Sequence, residues 1–209
     1  MAREHVEFLR ILADDVQHAL DRTAASDIES DRRNLLRTII SAAEGISWVY
    51  RAHVLFMAKE FDAATPLIEL AFAEATYAVN EQGQIVEQAR YISMTAMIRL
   101  TTKVAQSICA DLNVDFGSQG WQSLRDTIKL RNRITHPKNA DDLAISVEEI
   151  DHAKTGFFWF LDMSMHVMEA TLKEFSGLVS DIGEVVEKLK SGDPETLALY
   201  QRAHRDFSD

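Results

Sequence analysis

Apolar residues recur every three or four positions through most of the 209-residue chain, and no segment alternates apolar and polar residues as a half-buried strand does. The pattern predicts an all-α protein, an up-and-down helical bundle with essentially no sheet. Proline and glycine are scarce, with three and eight residues respectively. Because these residues interrupt helices, we expect the helices to be long.

The boundaries of the N-terminal helices follow from capping residues. A first helix is expected over residues 2–24, and a second begins after Ser26 and runs to about Phe61. Thr65 and Pro66 form an N-cap followed by a first-turn proline, which predicts a short helix ending near Tyr77. A fourth helix is predicted from one apolar stripe, formed by Ile85, Ala89, Ile92, Ala96, Leu100, Val104, Ile108 and Leu112.

The next helix is expected to start at Trp121 and to lead into residues 131–137, which read RNRITHP. Proline disfavours the α conformation of the residue before it, so this helix should end at about Thr135. After a polar loop, Ser146 and Glu149 have the spacing of a capping box and begin another helix.

That helix is predicted to be long. Its apolar positions keep the three-four spacing of a coiled coil, at Phe158, Leu161, Met165, Met168, Leu172, Phe175, Val179, Ile182, Val186 and Leu189. The spacing leaves open whether they pack within one bundle or against a second copy of the chain. A last helix should start at Asp193 and Pro194 and end near His204. We expect one domain over residues 1–209, with residues 176–206 as a C-terminal helical extension.

Composition narrows the class of protein. A single cysteine, Cys109, excludes an internal disulfide framework and a cysteine-based zinc site, as expected in a reducing cytoplasm. The N-terminus has no apolar signal region, and no apolar segment approaches the roughly 20 residues that span a bilayer. We therefore expect a soluble cytoplasmic protein without a membrane partner.

Charge is distributed unevenly. The formal net charge of −11 argues against broad binding to nucleic acid. Residues 120–138 nevertheless carry five basic residues, Arg125, Lys129, Arg131, Arg133 and Lys138, against one acidic residue, Asp126. This cluster suits a small phosphate-recognising site. The alternative is a solvated helix face that binds nothing.

Arg131 and His136 are a sensible pair for cleaving a phosphodiester without a metal ion. Arginine contacts two phosphate oxygens at once, and histidine exchanges a proton near neutral pH. In RNA, His136 would deprotonate a 2′-hydroxyl, which attacks the adjacent phosphorus to leave a 2′,3′-cyclic phosphate, while Arg131 stabilises the developing charge. A general base typically accelerates a reaction roughly 10²- to 10⁴-fold. A well-placed charge donor typically stabilises the transition state by about 3 to 4 kcal/mol.

The segment RNRITHP, in an all-α chain and before a capped helix, resembles the Arg-x4-6-His signature of the HEPN (higher eukaryotes and prokaryotes nucleotide-binding) superfamily. The resemblance implies a HEPN-like core over about residues 31–175. It also implies a metal-independent endoribonuclease without cofactors, with Arg131 and His136 catalytic. Asn132 would orient RNA or His136, and Glu44 matches a recurrent acidic position.

The resemblance further implies a homodimer that acts on single-stranded RNA, as a toxin or phage-defence effector. An antitoxin or regulatory protein would then be a separate chain. Lys129, Arg133 and Lys138 are the expected substrate-binding residues beside Asn132. The alternative is a non-catalytic helical module for protein interaction, or for nucleotide binding through Arg131 and Lys129, since some HEPN members have lost catalysis.

Overall fold

The computed structural model describes residues 2–206, and the side chains of residues 4–205. The described residues form seven α-helices, one 3-10 turn and one antiparallel hairpin, which confirms the all-α fold class. The helices are α1 (Ala2–Ser26), α2 (Glu29–Glu60), α3 (Pro66–Phe72), α4 (Met94–Ile108), α5 (Gln119–Thr135), α6 (Val147–Lys190) and α7 (Pro194–Asp206). The hairpin strands are β1 (Ala75–Val79) and β2 (Ile85–Ala89), and the 3-10 turn is Asp141–Leu143.

Helix α2 lies at the centre of the bundle and packs against α1, α4, α5 and α6. Its apolar residues recur at helical spacing and are almost completely buried, among them Leu35, Ile39 and Val54. Burial of such side chains is the dominant stabilising contribution in a bundle. The buried hydroxyl of Tyr50 lies 2.9 Å from Oγ1 of Thr102, which ties α2 to α4.

The predicted caps are confirmed at several helices. The Thr65 side chain accepts a hydrogen bond from the Ile68 amide and starts α3. At the start of α6, Ser146 and Glu149 form the reciprocal capping box. Because each cap satisfies amides that the first turn leaves without a helical partner, these boundaries are fixed locally.

The prediction for the segment between α3 and α4 was wrong. Helix α3 ends at Phe72 rather than near Tyr77, and Ile85 and Ala89 lie on β2 rather than on a helix. The Asn80 side chain accepts hydrogen bonds from two amides of the turn, and Gly83 has a φ of +74°. This local turn chemistry favours a hairpin over a continuous helix. Helix α4 accordingly begins only after Ser93 and ends before Leu112.

Helices α5 and α6 approach each other closely. A Cβ atom at Gly156 would lie 2.4 Å from the backbone nitrogen of Leu124, so only glycine permits this contact. Phe157 and Phe160 are buried in the core, whereas Phe158 is half exposed. Among the described helices, none is long and apolar enough to cross a membrane.

The long helix and the C-terminal extension are both present. Helix α6 has 44 residues, and its last buried residue is Thr171. From Leu172 to Lys190 its side chains are exposed or partly exposed, and α7 packs against α6. The core of the bundle thus lies around α2, and the second half of α6 contributes little to it.

Candidate functional site

The candidate site lies where α5 ends. The helix stops at Thr135, as the proline rule predicts, and His136 occupies the C-cap with φ −124° and ψ 57°. The His136 amide still donates to the Asn132 carbonyl across 3.1 Å. His136 therefore follows the last helical turn directly, and the chain leaves the helix direction at that residue.

Arg131 reaches across from α5 to α2. Its Nη2 donates to Oε1 of Glu44 at 3.1 Å, and its Nη1 donates to Oδ1 of Asn132 at 3.3 Å. The Arg131 side chain is 36% exposed and that of Glu44 is 51% exposed. Because water screens such a pair, the ion pair holds Arg131 only weakly and leaves it open to another anion.

A groove of about 410 Å³ separates α2 from α5 at this point. Its walls are formed by Arg37, Ile40, Ser41 and Glu44 of α2 and by Arg131, Ile134 and Thr135 of α5. Arg37 forms no ion pair with any carboxylate in the described part of the chain, and its Nη1 lies 3.5 Å from Oδ1 of Asn34. The groove thus holds two guanidinium groups and one carboxylate, a balance that favours an anionic ligand.

The structure does not place His136 on the walls of this groove. Its side chain is exposed, and its ring forms no hydrogen bond with any of the described residues. Arg131 lies in the groove, whereas His136 lies at the end of the helix that forms one wall. A substrate contacting both residues would have to extend from the groove past the end of α5.

Two of the expected substrate-binding lysines lie on the surface near the motif. Lys129 donates to Asp126 at 2.8 Å, and this hydrogen bond holds the pKa of the Asp126 carboxyl below its ordinary value. Lys138 lies in the loop after the helix, where its backbone amide donates to Asp142 at 2.7 Å. Its exposed side chain forms no ion pair within residues 4–205. Neither lysine lines the groove of Arg131.

Arg133 has a structural role in the ligand-free chain. It donates to both carboxylate oxygens of Glu149, at 3.0 and 3.2 Å, and to the Ala144 carbonyl at 2.6 Å. A bidentate arginine–carboxylate pair is geometrically demanding and well ordered. Arg133 therefore fastens α5 to the start of α6, and this contact engages the guanidinium that was expected to bind substrate.

Two arginines that sequence reasoning missed hold the loop after the motif. Arg32 donates to the Ile145 carbonyl at 3.1 Å, and Arg33 donates to the Leu143 carbonyl at 3.2 Å. Both side chains are mostly buried, and both residues lie near the start of α2. They anchor the segment between Pro137 and Ser146 to the bundle, which limits where His136 lies.

Arg37 and Ser41 were also missed as groove residues. A signal was present, because Arg37, Ser41 and Glu44 follow one another at four- and three-residue spacing and so share a face of α2. All three residues are charged or polar, which distinguishes them from the buried stripe of Leu35, Ile39 and neighbouring residues.

No protein-family model, curated protein or solved structure matches this chain. Membership of the HEPN superfamily therefore remains a prediction drawn from residues 131–137. Within the described residues, no group of three or more His, Cys, Asp or Glu side chains is arranged to hold a metal ion.

Proposed function

We propose that the chain is a metal-independent endoribonuclease of HEPN type that cleaves single-stranded RNA. The observation that carries the proposal is the placement of Arg131 in an open groove that also holds a second arginine, Arg37, five residues before His136 at the end of α5. Two guanidinium groups offer a phosphate several charge-assisted hydrogen bonds. The exposed imidazole of His136 lies at the end of the same helix and exchanges a proton near neutral pH.

The reaction needs no group beyond these side chains and the RNA itself. His136 accepts the proton of a ribose 2′-hydroxyl, and the oxygen forms a bond to the adjacent phosphorus. The bond from phosphorus to the 5′-oxygen breaks, and the leaving oxygen takes a proton from solvent. Arg131 stabilises the additional negative charge on the phosphoryl oxygens as the new bond forms. The products are a 2′,3′-cyclic phosphate and a 5′-hydroxyl end.

In the ligand-free chain, Arg131 forms an ion pair with Glu44, which a substrate phosphate would displace. A phosphate entering the groove competes with the Glu44 carboxylate for the same guanidinium, and Arg37 supplies a second donor. An exposed ion pair contributes only about 0.2–1 kcal/mol, so this competition costs little.

The resemblance to HEPN proteins supplies the biological part of the proposal. The chain would act as a homodimer whose two motifs face one cleft, as a toxin or phage-defence effector in the cytoplasm. A separate antitoxin or regulatory chain would restrain it. The net charge of −11 agrees with a restrained activity, because an acidic surface repels RNA except where the basic cluster offsets it.

The test is to incubate purified protein with single-stranded RNA in EDTA, beside Arg131→Ala and His136→Ala variants. We expect cleavage by the wild type, and a loss of roughly 10²- to 10⁴-fold in each variant. Arg90→Ala is the control and should cleave at the wild-type rate, since this exposed arginine lies after the hairpin, outside both the groove and the basic cluster of residues 120–138. Intact RNA with every sample, after any co-purifying protein has been removed under denaturing conditions and the chain refolded, would contradict the proposal.

The second candidate is a non-catalytic module that binds a nucleotide or RNA phosphate without cutting. It is favoured by one observation, the position of His136 outside the groove walls. In this case Arg131→Ala abolishes binding, His136→Ala leaves it unchanged, and RNA remains intact. The two candidates thus differ in whether the wild type cleaves RNA and whether His136→Ala removes that cleavage.

A further inference from the structure

A second cavity adjoins the groove of Arg131. It has a volume of about 230 Å³ and lies between α2 and the segment that joins β2 to α4. We call it the aromatic cavity, because Trp48 and Tyr91 form part of its wall. Glu44 lines both the groove and the aromatic cavity, so the two meet at this residue.

Both aromatic side chains of this cavity are open to solvent. Tyr91 is 85% exposed, and Trp48 is 48% exposed. A single exposed aromatic residue is common on a protein surface and needs no explanation. Two that line one cavity together with a few polar groups have the composition of a ligand site.

The position of Trp48 is fixed by α1. Its ring lies nearly perpendicular to the rings of His5 and Phe8, with centroid distances of 5.2 and 6.2 Å and interplanar angles of 87° and 83°. Edge-to-face contacts of this kind are favourable for aromatic rings. Helix α1 thus holds the indole in place, while about half of the side chain stays accessible.

The position of Tyr91 is fixed through Glu74. The Glu74 carboxylate accepts one hydrogen bond from the Ile92 amide and one from the Arg51 guanidinium, each at 3.1 Å. Since Arg51 belongs to α2, these bonds attach the residue after Tyr91 to the bundle. The exposed tyrosine therefore belongs to an anchored segment. Arg90, which precedes it, does not line the cavity.

The aromatic cavity suits an uncharged ring better than a phosphate. Arg51 is the only cation that the described residues place on its wall, and it is mostly buried and paired with Glu74. Glu44 adds a second carboxylate. The adjoining groove holds two guanidinium groups instead. The two cavities thus offer the two surfaces that a nucleotide chain needs, one for a phosphate and one for a base.

We propose that the aromatic cavity binds one base of the single-stranded RNA whose phosphate lies at Arg131, stacked against the exposed rings of Trp48 and Tyr91. This inference rests on the RNA binding proposed above but not on cleavage. Glu44 and Trp48 are one helical turn apart, about 6 Å along α2, so a phosphate that displaces Glu44 lies close to the cavity. The unstacked bases of single-stranded RNA commonly bind to aromatic side chains.

The size of the cavity agrees with a single base. Sites for drug-sized ligands have volumes of roughly 300–1,000 Å³. The aromatic cavity, at about 230 Å³, is smaller and suits one ring system rather than a whole nucleotide. Stacking tolerates any base, because every base has a π face. We therefore expect the cavity to add affinity without a strong sequence preference.

Binding to RNA that cannot be cleaved tests the inference. The probe is a single-stranded RNA with every 2′-hydroxyl methylated, and fluorescence anisotropy measures its affinity. Trp48→Ala and Tyr91→Ala should each weaken binding by about 5- to 150-fold, as expected for the loss of one aromatic–base stack. Trp48→Phe keeps an aromatic ring and should retain most of the affinity. Tyr200→Ala removes a 56% exposed tyrosine from α7 and should bind as the wild type does.

Folding of the variants is checked by helical circular dichroism. Tyr91 is so exposed that Tyr91→Ala should give the wild-type spectrum. Trp48→Ala also removes the contacts with His5 and Phe8, so a loss of binding through altered packing of α1 would affect this variant but not Tyr91→Ala.

The fluorescence of Trp48 reports the stack directly. A base stacked on an indole quenches its emission, so the methylated RNA should lower the emission of the wild type and leave that of Trp48→Phe unchanged. Trp121 is buried and Trp159 is partly buried, and both remain as background in the two proteins. A purely structural role for Trp48 predicts no quenching, which would overturn the inference.

The outcomes separate this inference from the nuclease proposal. Binding that is weakened in Arg131→Ala but unchanged in Trp48→Ala and Tyr91→Ala would overturn the base site alone, and the exposed rings would then suit a protein partner. Weaker binding in both aromatic variants, with no cleavage of unmodified RNA by the wild type, would support the base site and contradict the nuclease. A wild type that binds no RNA would overturn both.

Discussion

Arg131 donates a hydrogen bond to Glu44 across 3.1 Å and so joins α5 to α2 at the edge of an open groove. The two residues are 87 positions apart in sequence, and their contact depends on the packing of the whole bundle. The guanidinium proposed to meet the phosphate is thus already paired with a carboxylate in the ligand-free chain. Phosphate binding by Arg131 therefore requires an exchange of partners.

The Glu44→Gln variant tests this exchange. Removing the carboxylate frees Arg131. Affinity for a single-stranded RNA with every 2′-hydroxyl methylated, which this mechanism cannot cleave, should therefore rise by up to about fivefold, equivalent to about 1 kcal/mol. Fluorescence anisotropy measures the affinity. Glu81→Gln removes the same charge from the exposed hairpin turn and controls for a general electrostatic effect. Weaker binding by Glu44→Gln would mean that Glu44 assists RNA binding rather than competing with it.

Arg133 is predicted to matter for stability. Arg133→Ala removes the bidentate contact with Glu149 and the hydrogen bond to the Ala144 carbonyl. Because these bonds join α5 to the start of α6, the free energy of unfolding in urea should fall by about 1–2 kcal/mol. The exposed Arg125→Ala on the same helix should change it by no more than about 0.5 kcal/mol. Equal stabilities for the two variants would show that the Arg133 contacts contribute nothing.

Two glycines of α6 should respond to alanine in opposite directions. Gly156→Ala forces a Cβ to within 2.4 Å of the Leu124 backbone, and the overpacking should cost about 1–3 kcal/mol. A Cβ atom at Gly177 has no other atom within 4 Å, so Gly177→Ala should stabilise the helix by about 0.5–1 kcal/mol. Urea denaturation of both variants measures the difference. If Gly156→Ala is as stable as the wild type, α5 and α6 are farther apart than described.

His53 should make stability depend on pH. Burial lowers the pKa of His53 below its ordinary value of 6.5, and its Nε2 lies 2.9 Å from Oγ1 of Thr171. A histidine with a lowered folded-state pKa binds its proton more readily in the unfolded chain. Stability from this source is therefore complete above about pH 6.5 and is lost as the pH falls toward the folded-state pKa.

The measurement for His53 is the urea midpoint between about pH 5 and pH 8. In the His53→Gln variant, the urea midpoint should fall less steeply below about pH 6.5 than it does in the wild type. His166 of α6 is exposed, so His166→Gln is the control, and its urea midpoint should fall with pH as in the wild type. An unchanged profile in His53→Gln would assign the pH dependence to other groups.

Features of the fold that depend on local chemistry were predictable. The caps at Thr65 and Ser146 and the end of α5 before Pro137 each follow from two or three adjacent residues. The hairpin was not predicted, because Ile85 and Ala89 happen to have helical spacing and the Asn80–Gly83 turn was not recognised. Apolar spacing alone does not separate a short exposed strand from the start of a helix.

The candidate site was predictable only in part. The sequence identified Arg131, and resemblance suggested Glu44, but Arg37 and Ser41 enter the groove through packing between helices that are distant in sequence. Arg133 was expected to bind substrate, yet the acid that engages it, Glu149, was identified from sequence only as a capping residue. The sequence also left open whether the apolar repeat of α6 packs within the bundle or against a second copy of the chain, because both arrangements use the same spacing.

The most direct test of the proposed function uses a DNA oligonucleotide that contains a single ribonucleotide, incubated with the wild-type protein in EDTA. Only that position has the 2′-hydroxyl that the mechanism uses as its nucleophile. We expect one cut, directly after the ribonucleotide, with a 2′,3′-cyclic phosphate detected by mass spectrometry, and no such cut with Arg131→Ala or His136→Ala. Cleavage at deoxynucleotides, or the same cut by His136→Ala at the wild-type rate, would contradict it.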